Sequence, residues 1–369
     1  MLRGVGRVVV IWGDRVAREG DGAVAGLLDV ASALDLASTE GSGLLEIPEF
    51  ANARGLREAG CLPDAGPGLV ASATGKGTEE IRAALEAREL KTLLLFGVDP
   101  LRDFPDTEAW KNALAKADHV ICFSTFESAT TAMADVVLPL ETHAEKDGTV
   151  THPDGRLQRV RPSASRPGDI RPNWGVLAEL SLALGHDTGI SSQPSAFKAL
   201  TEAVPFYAGI TDADIAGRGI RWQDTDARSN APGVSEAPGA GSSKHSSEAP
   251  AERFEDPAPG AFPASGSLAL STYRDLWAGP ITELNPPLRF LAPRQRVELS
   301  VSDAERLGLK SGDSVRVSRD GTSLGALVSI RERVPEGVCF LLEGVAEGNA
   351  NALRGGSPVS IQIEKDAAP

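Results

Sequence analysis

The chain has 369 residues, and at about 150 residues per domain this length predicts two or three domains. Its 37 basic and 51 acidic residues leave a net charge of −14, which argues against a general nucleic-acid surface because a phosphate backbone requires a basic one. No apolar run approaches the roughly 18 residues that a membrane helix needs. The amino-terminal residues lack the pattern of a secretory signal, so we expect a cytoplasmic location without direct membrane insertion.

The three cysteines, Cys61, Cys122 and Cys339, stand far apart in the sequence and form no C-x-x-C pair. The thiols of this chain alone therefore cannot assemble an iron–sulfur cluster or a structural zinc site. Cys122 lies within an apolar run, so we expect it in the core as a small apolar residue.

The first part of the chain alternates short apolar runs with stretches of helical periodicity. In chain order the pattern predicts a strand at 7–12, a helix at 23–37, a helix at 79–88 capped by Thr78, a strand at 90–98, a helix at 107–116, and strands at 119–123 and 134–138. This alternation is typical of a doubly wound, mostly parallel α/β sheet with helices on both faces. Residues 139–170 are rich in Gly, Pro and Arg and are predicted to be irregular, and a helix is predicted at 173–184.

The composition changes twice in the rest of the chain. Residues 224–265 consist largely of Ala, Ser, Pro and Gly, so we expect a disordered linker there. From 268 to 363, short alternating runs separated by turn signals predict a small β barrel that is interrupted by one short helix at 302–307. The expected domains are therefore an incomplete α/β domain at 1–223 and a barrel at 266–369, joined by the linker.

Polar residues follow three of the predicted strands. Gly97-Val98-Asp99-Pro100 comes after the first, Ser124-Thr125 after the second, and Asp135 lies in the run that forms the third. Loops at the carboxyl edge of a parallel sheet bind ligands, and glycine lets a backbone approach phosphate or ribose closely. A plain strand-to-helix turn is the favoured interpretation of Gly-x-Asp-Pro taken alone, and helix capping explains the hydroxyl residues equally well.

Residues 145–158 form a charged stretch with two glycine turns and little aliphatic content. Such a loop must pair internally, contact a partner or bind an anion. The nearby histidines and carboxylates do not form a recognised metal-ligand pattern, so no metal site is assigned. The sequence also lacks the signatures of a serine nucleophile, a zinc hydrolase or a P-loop, so no catalytic residue is assigned.

In their order and spacing, four segments resemble the late part of the catalytic α/β region of molybdopterin oxidoreductases. They are 97–100, 134–139, 145–149 and 154–158. The carboxyl-terminal region, with Leu307-Gly308-Leu309, Gly312-Asp313 and Pro335-Glu336-Gly337, resembles the molybdopterin-dinucleotide-binding domain of such proteins, a double-psi β barrel. The resemblance implies vestigial or working contacts to the pterin dinucleotide from Gly97, Asp99, Pro100, Asp135, Glu145, Gly148, Thr149, Gly155, Arg156, Gln158 and Asn351.

Within that family, the segments 51–55, 58–63 and 273–277 are similar to the G subunits of the bacterial proton-pumping NADH:quinone oxidoreductase, respiratory complex I. This similarity implies a structural role in the peripheral arm, against other peripheral-arm subunits at the cytoplasmic face of the plasma membrane. It implies support of electron transfer from NADH to quinone with no cofactor, no redox centre and no catalysis in this chain alone. The iron–sulfur clusters are expected in an amino-terminal portion that this sequence lacks, so we expect a fragment or the product of a split gene.

Two alternatives stay open at this point. In the first, the chain is the pterin-binding part of a molybdopterin-dependent oxidoreductase, although it offers no Cys or Ser in a recognisable metal-ligand context. In the second, it is an independent NAD-binding protein, which is the weaker hypothesis because no glycine fingerprint follows the first predicted strand.

Overall fold

The computed structural model describes residues 4, 6–18, 21–72, 75–232, 267–355 and 359–366. Among these residues, no helix is both long enough and apolar enough to span a bilayer. The helices are α1 (Asp14–Arg18), α2 (Asp21–Ala33), α3 (Ala53–Glu58), α4 (Thr78–Glu86), α5 (Pro100–Asp103), α6 (Thr107–Lys116), α7 (Asn173–Ala183), α8 (Gln193–Ala203), α9 (Pro280–Leu284) and α10 (Val301–Arg306). The strands are β1 (Val9–Gly13), β2 (Gly43–Ile47), β3 (Ala65–Gly66), β4 (Val70–Ala71), β5 (Thr92–Phe96), β6 (His119–Ser124), β7 (Val136–Pro139), β8 (Gly148–Thr151), β9 (Arg156–Val160), β10 (Ile220–Arg221), β11 (Leu268–Tyr273), β12 (Arg296–Leu299), β13 (Ser314–Arg319), β14 (Thr322–Ile330), β15 (Val338–Leu342) and β16 (Ser360–Lys365).

The predicted helix at 107–116 is confirmed as α6. Its start is fixed by Asp106, whose side chain accepts a hydrogen bond from the backbone N–H of Ala109 at 3.1 Å. Trp110 and Leu114 recur at helical spacing and are buried, which gives α6 the apolar stripe that its sequence predicted. The strands predicted at 7–12, 90–98, 119–123 and 134–138 are confirmed as β1, β5, β6 and β7, with ends shifted by up to two residues.

The prediction that residues 139–170 are irregular is wrong for part of this stretch, which contains two strands. Strands β8 and β9 pair as an antiparallel hairpin in which Thr151 lies opposite Leu157. Leu157 is the only buried apolar residue of β9, so the strand shows none of the apolar alternation that identifies a strand in a sequence.

The chain forms two compact units, and each unit is built from two segments of the sequence. The first unit comprises residues 1–77 and 140–244, and the second comprises 78–139 and 245–369. The domain boundaries predicted at 223 and 265 stay predictions. Most of the predicted linker, residues 233–265, lies outside the described residues, but Asp226–Asn230 forms a 3-10 turn and Ala231 is buried, so ordered structure extends past residue 224.

In the first unit, β1 and β2 form a parallel pair, and β8, β9 and β10 form an antiparallel sheet of order β10-β9-β8. The core of this unit gathers around β9 and the aromatic residues that follow α8. Its members include Leu157, Phe197, Phe206, Tyr207 and Trp222.

In the second unit, β5, β6 and β7 form a parallel sheet with β6 in the centre. Leu95, Val120 and Cys122 pack from one face of this sheet against Trp110 and Leu114 of α6, and Cys122 is buried as expected. The mixed α/β architecture is therefore confirmed. The parallel strands of the described residues lie in two separate sheets, so a single doubly wound sheet stays a prediction.

The second unit also contains the predicted barrel, which is confirmed as a closed barrel of order β11-β15-β12-β14-β13-β16. Alternate residues of its strands, such as Val297 and Leu299, point inward and are fully buried. The predicted short helix corresponds to α10. The expectation that only this helix interrupts the barrel is wrong, because α9 begins at Pro280, whose fixed φ favours the first position of a helix.

Candidate functional site

The loop after β5 is a strand-to-helix turn in which the polar groups of the motif are used by the chain itself. Gly97 has a φ of +67°, which favours glycine, and its N–H donates to the backbone oxygen of Phe123 at 2.9 Å. Asp99 precedes α5, and its carboxylate accepts a hydrogen bond from the hydroxyl of Thr130. Pro100 is the first residue of α5 and is buried. The predicted contact residues of this loop therefore build and anchor the turn.

Asn351 lies in the same unit and is almost fully buried, with 1% of its surface exposed. Its side-chain amide donates to the backbone oxygen of Arg102 at 2.8 Å and its side-chain oxygen accepts from Arg354 at 3.2 Å. Its backbone oxygen accepts from the N–H of Asp106 at 2.9 Å. Asn351 thus connects the 343–354 region of the barrel with α5 and the start of α6, and both ends of its amide are satisfied by protein.

Arg102 is the residue of α5 that reaches the barrel most extensively. Its guanidinium donates to both carboxylate oxygens of Glu283 at 2.9 Å and to the backbone oxygen of Gly344 at 2.6 and 3.0 Å. The side chains of Arg102 and Glu283 are each 14% exposed, so the pair is largely withdrawn from water. Sequence reasoning missed both residues, which are 181 positions apart.

A second carboxylate, Glu343, is buried at the end of β15 with 4% of its surface exposed. It accepts hydrogen bonds from the hydroxyl of Thr272 at 2.8 Å, from Arg274 at 3.2 Å and from Arg354 at 2.9 Å. Asp103 lies within electrostatic range of Arg274 and Arg102, and burial raises the pKa of its carboxyl group.

We call this charged cluster, in which α5 meets the barrel, the barrel seam. Its members are Arg102, Asp103, Arg274, Glu283, Glu343 and Arg354. Three guanidinium groups and three carboxyl groups face one another there, and buried charges require such compensation. The pyrophosphate of a dinucleotide needs unpaired donors or cations, and at the barrel seam each arginine is already bonded to a carboxylate.

A groove of about 990 Å³ opens beside the barrel, and none of the eleven predicted contact residues lines it. Its walls include Glu283 and Gln295 together with Arg289 and Arg294. These two arginines make no side-chain hydrogen bond or ion pair with any other residue of the described ranges. The lining also contains Glu347 and Asp366, so the two arginines stand in a groove of mixed charge.

The other predicted contact residues are also engaged within their own units. In the second unit, the carboxylate of Asp135 accepts from the N–H of Val120 at 2.7 Å and so ties β7 to β6. In the first unit, Glu145 is buried and accepts from the N–H of Thr142 at 2.8 Å. Gly148, Thr149, Gly155, Arg156 and Gln158 lie in the β8–β9 hairpin.

Gly155 and Arg156 have structural roles in the turn of the β8–β9 hairpin. Gly155 has a φ of +85° and packs against the side chain of Gln223, which leaves little room for a larger residue. The N–H of Arg156 donates to Asp154 at 3.0 Å, and its guanidinium donates to the backbone oxygen of Gly219 at 3.4 Å. Of the three outcomes that the sequence left open for this charged stretch, internal pairing is the one that the contacts show.

A buried polar network in the first unit was not predicted. Glu58, at the end of α3, is 4% exposed and accepts hydrogen bonds from the hydroxyl of Tyr207, from the indole of Trp222 at 3.2 Å and from Arg54 at 2.8 Å. Burial, with the neighbouring Glu58 carboxylate, raises the pKa of Tyr207. The network ties α3 to the core around the β8–β9 hairpin, since the hydroxyl of Tyr207 also lies 3.2 Å from that of Thr151.

An α/β region with parallel sheets, followed in the sequence by a closed six-stranded barrel, defines the class of fold. Two family models match these regions: "Molybdopterin oxidoreductase" matches residues 7–183, and "Molydopterin dinucleotide binding domain" matches residues 268–368. The chain therefore belongs to the molybdopterin oxidoreductase family. The names of the two models point to a molybdopterin dinucleotide as the cofactor of that family.

Curated relatives carry several different names. The chain is 28% identical over 375 residues to the NADPH-Fe(3+) oxidoreductase subunit alpha of Geobacter sulfurreducens, an alignment that covers 97% of this chain and 41% of the relative. It is 26% identical to the F420-dependent formate dehydrogenase 2 subunit alpha of Methanococcus maripaludis, with 88% of this chain and 51% of the relative covered. It is 28% identical to the G 2 subunit of the NADH-quinone oxidoreductase of Rhizobium meliloti, with 78% and 32% covered.

Among solved structures, the acetylene hydratase of Pelobacter acetylenicus is similar with a TM-score of 0.56 and 14% sequence identity, over 86% of this chain and 51% of the hydratase. At this identity the likeness concerns the fold alone. The chain spans about half or less of the length of each of these proteins.

The residues that the family resemblance implies do not fit a bound dinucleotide well. Asp99, Asp135 and Asn351 hydrogen-bond to other groups of the second unit, and the barrel seam is neutralised by its own carboxylates. No reaction step is therefore assigned to a pterin at these residues.

Proposed function

We propose that this chain is a structural part of a multi-subunit oxidoreductase, in the role of the G subunit of an NADH-quinone oxidoreductase. In this role it supports electron transfer from NADH to quinone without a redox centre or catalytic residue of its own, and iron–sulfur clusters belong to other parts of the assembly. It binds other peripheral-arm subunits at the cytoplasmic face of the plasma membrane. Its α/β region belongs to a doubly wound domain, and its barrel is of the double-psi type.

The observation that carries this proposal is the self-paired barrel seam. Arg102 bonds to Glu283, and both Arg274 and Arg354 bond to Glu343, so the arginines of the barrel seam, which surround Asn351, are neutralised. Breaking such buried pairs to admit an anionic cofactor costs several kcal/mol. The presence of an NADH-quinone oxidoreductase G subunit among the relatives supports the choice of complex.

The test is to purify the chain together with its natural partners, to separate it from them and to measure its metals. We expect neither molybdenum nor iron in stoichiometric amount, and no pterin fluorescence after denaturation and oxidation. Deletion of the gene is expected to lower the NADH:quinone oxidoreductase activity of the membranes. About one molybdenum atom per chain, or unchanged membrane activity after deletion, would overturn the proposal.

A pterin-binding part of a molybdopterin-dependent oxidoreductase is the second candidate. The groove beside the barrel favours it, because Arg289 and Arg294 have no carboxylate partner among the described residues and offer guanidinium groups to an anion. If this candidate is correct, molybdenum and pterin will copurify with the chain and both will be lost when the two arginines are replaced by alanine. Retention of the pterin by that double variant would exclude the groove as its site.

A further inference from the structure

Exposed apolar side chains lie at and beside the groove next to the barrel. Leu284, at the end of α9, lines the groove and is 57% exposed. Ile281 precedes it by three residues in the same short helix, so the two share a helix face, and Ile281 is 61% exposed. Phe290 follows the groove residue Arg289 directly in the chain and is 81% exposed. We call Ile281, Leu284 and Phe290 the apolar rim.

The segment that carries the apolar rim is held in place by the fold. The N–H of Arg289 donates to the backbone oxygen of Asn285 at 2.9 Å, which holds the 3-10 turn at Arg289–Leu291 close to the end of α9. Glu283, in the same helix, is fixed by its pair with Arg102 in the barrel seam. The rim is therefore exposed on an ordered segment of the second unit.

The unpaired charge of the groove is positive on balance. Arg289 and Arg294 are exposed and have no ion pair in the part of the chain that the structure describes. Of the carboxylates in the lining, Glu283 is bonded within the barrel seam and Asp366 lies 3.8 Å from an arginine of β13. Glu347 has no ion pair within the described ranges, so two unpaired arginines stand against one unpaired glutamate.

Exposed apolar side chains next to unpaired arginines are typical of a protein-binding surface. Contiguous apolar surface marks interaction sites, and interfaces are enriched in aromatic residues and arginine. A small anion would pair with Arg289 and Arg294, but it would leave Ile281 and Phe290 in water. An amphipathic helix with carboxylates beside its apolar stripe complements both features of this surface. On a chain of net charge −14, the two arginines also direct an acidic segment to this position.

We propose that the groove docks an acidic amphipathic helix of a second polypeptide. The apolar stripe of that helix covers Ile281, Leu284 and Phe290, and its carboxylates pair with Arg289 and Arg294. The groove is then a surface through which the chain joins its assembly, so this inference deepens the proposed function and rests on it.

The first experiment places a photoreactive benzoylphenylalanine at Phe290 in the full chain, in cells that produce the natural partners. After irradiation we expect one main adduct with a second polypeptide. The crosslinked peptide should carry at least two Asp or Glu residues beside apolar residues at helical spacing. The matched control carries the same probe at Phe50, a 63% exposed phenylalanine of the first unit, and should give no adduct with that peptide.

A second measurement tests the charge pairing. Arg289→Glu and Arg294→Glu should each reduce the copurified partner at least tenfold and leave the unfolding midpoint unchanged, because exposed side chains without partners contribute little to stability. Arg333→Glu is the control, since Arg333 is an exposed arginine of the same unit outside the groove lining, and it should retain the partner. Replacing an acidic residue of the crosslinked peptide by arginine should restore copurification with the Arg289→Glu variant.

Four results would each overturn the inference. They are no adduct at Phe290, adducts only between copies of this chain, a crosslinked peptide without acidic residues, and full copurification of the partner by both arginine variants. A bound pterin that is released by Arg289→Glu would overturn it as well, because a small anionic ligand would then occupy the groove.

The outcome is distinguishable from that of the test for the proposed function. A molybdenum-free chain without the Phe290 adduct refutes the docked helix alone. A chain with stoichiometric molybdenum and the expected adduct refutes the structural role alone.

Discussion

Arg102→Ala is expected to open the barrel seam. The variant loses the paired contact with Glu283 and both hydrogen bonds to Gly344, and it leaves Glu283 without its cation. Removing one partner of a buried pair costs about 3–5 kcal/mol. Because both side chains keep 14% exposure, water compensates part of this loss, and we expect about 2–3 kcal/mol.

Hydrogen exchange measures the loss of stability locally, in the peptides around the barrel seam. A local measurement is needed because a chain of two compact units need not unfold in one step. The free energy of opening should fall in peptides that cover 344–351 and stay unchanged in α7 of the first unit. Arg331→Ala is the matched control, since its pair with Glu298 leaves Arg331 52% exposed and should contribute at most about 1 kcal/mol.

A double-mutant cycle then tests whether the pair itself is responsible. Arg102→Met combined with Glu283→Leu replaces both charges by apolar groups, and we expect the double variant to be more stable than the sum of the single losses predicts by about 1–2 kcal/mol. Additive losses, or a change below about 0.5 kcal/mol for Arg102→Ala, would show that the seam is not a coupled buried pair.

Three further variants test the described contacts. Glu58→Ala orphans buried donors of the first unit and should cost about 3 kcal/mol by hydrogen exchange in residues 205–224, whereas Glu58→Gln keeps an acceptor and should cost less. Burial opposes ionisation of Asp303, but hydrogen bonds from Arg306, Ser300 and Gly337 outweigh it and hold its pKa below the usual value. The stabilisation by Asp303 is therefore fully present above the unfolded pKa, which is near 3.9, and it is lost as the pH falls through the folded value. We expect the urea concentration at the unfolding midpoint of the barrel to decrease when the pH is lowered below about 4. Asp303→Asn should make this decrease smaller. Gly155→Ala places a residue with a side chain at a positive φ and should lower the free energy of unfolding by about 1–3 kcal/mol in a urea titration. Gly148→Ala is the control, because its added carbon meets open space, and it should change the midpoint little. Equal effects of the two substitutions would contradict the strain argument.

The elements that the sequence predicted well are those whose local signals agree with their tertiary surroundings. Helix α6 carries its own cap in Asp106 and its own apolar stripe, so its bounds follow from neighbouring residues alone. Barrel strands β12 and β13 alternate in burial, as Val315 and Val317 show, because one side of each strand faces a closed core. The β8–β9 hairpin gave no such signal, since its residues are mostly polar and half-buried.

The site was predicted less well, because its key contacts are long-range. Gly97 and Pro100 have local signatures in a turn, and the sequence located that turn correctly. Arg102 lies in a helix of four residues, and nothing near it in the sequence indicates Glu283 as its partner. Glu58 likewise has no sequence feature that points to Tyr207, from which it is separated by 149 positions. Charged residues on short elements become informative only when the fold places them together.

Asp99 and Asn351 show why a family motif can be present while its polar atoms are not free for a ligand. Asp99 precedes α5 and binds Thr130, and Asn351 holds the backbone oxygen of Arg102, so each satisfies groups that this fold buries in any case. Their presence therefore follows from the fold and does not distinguish a cofactor-binding member from a structural one. The distinguishing residues are Glu283 and Glu343, because their carboxylates neutralise the arginines that an anionic cofactor would otherwise meet. The charge balance of the barrel seam, rather than the motif, supports the structural role.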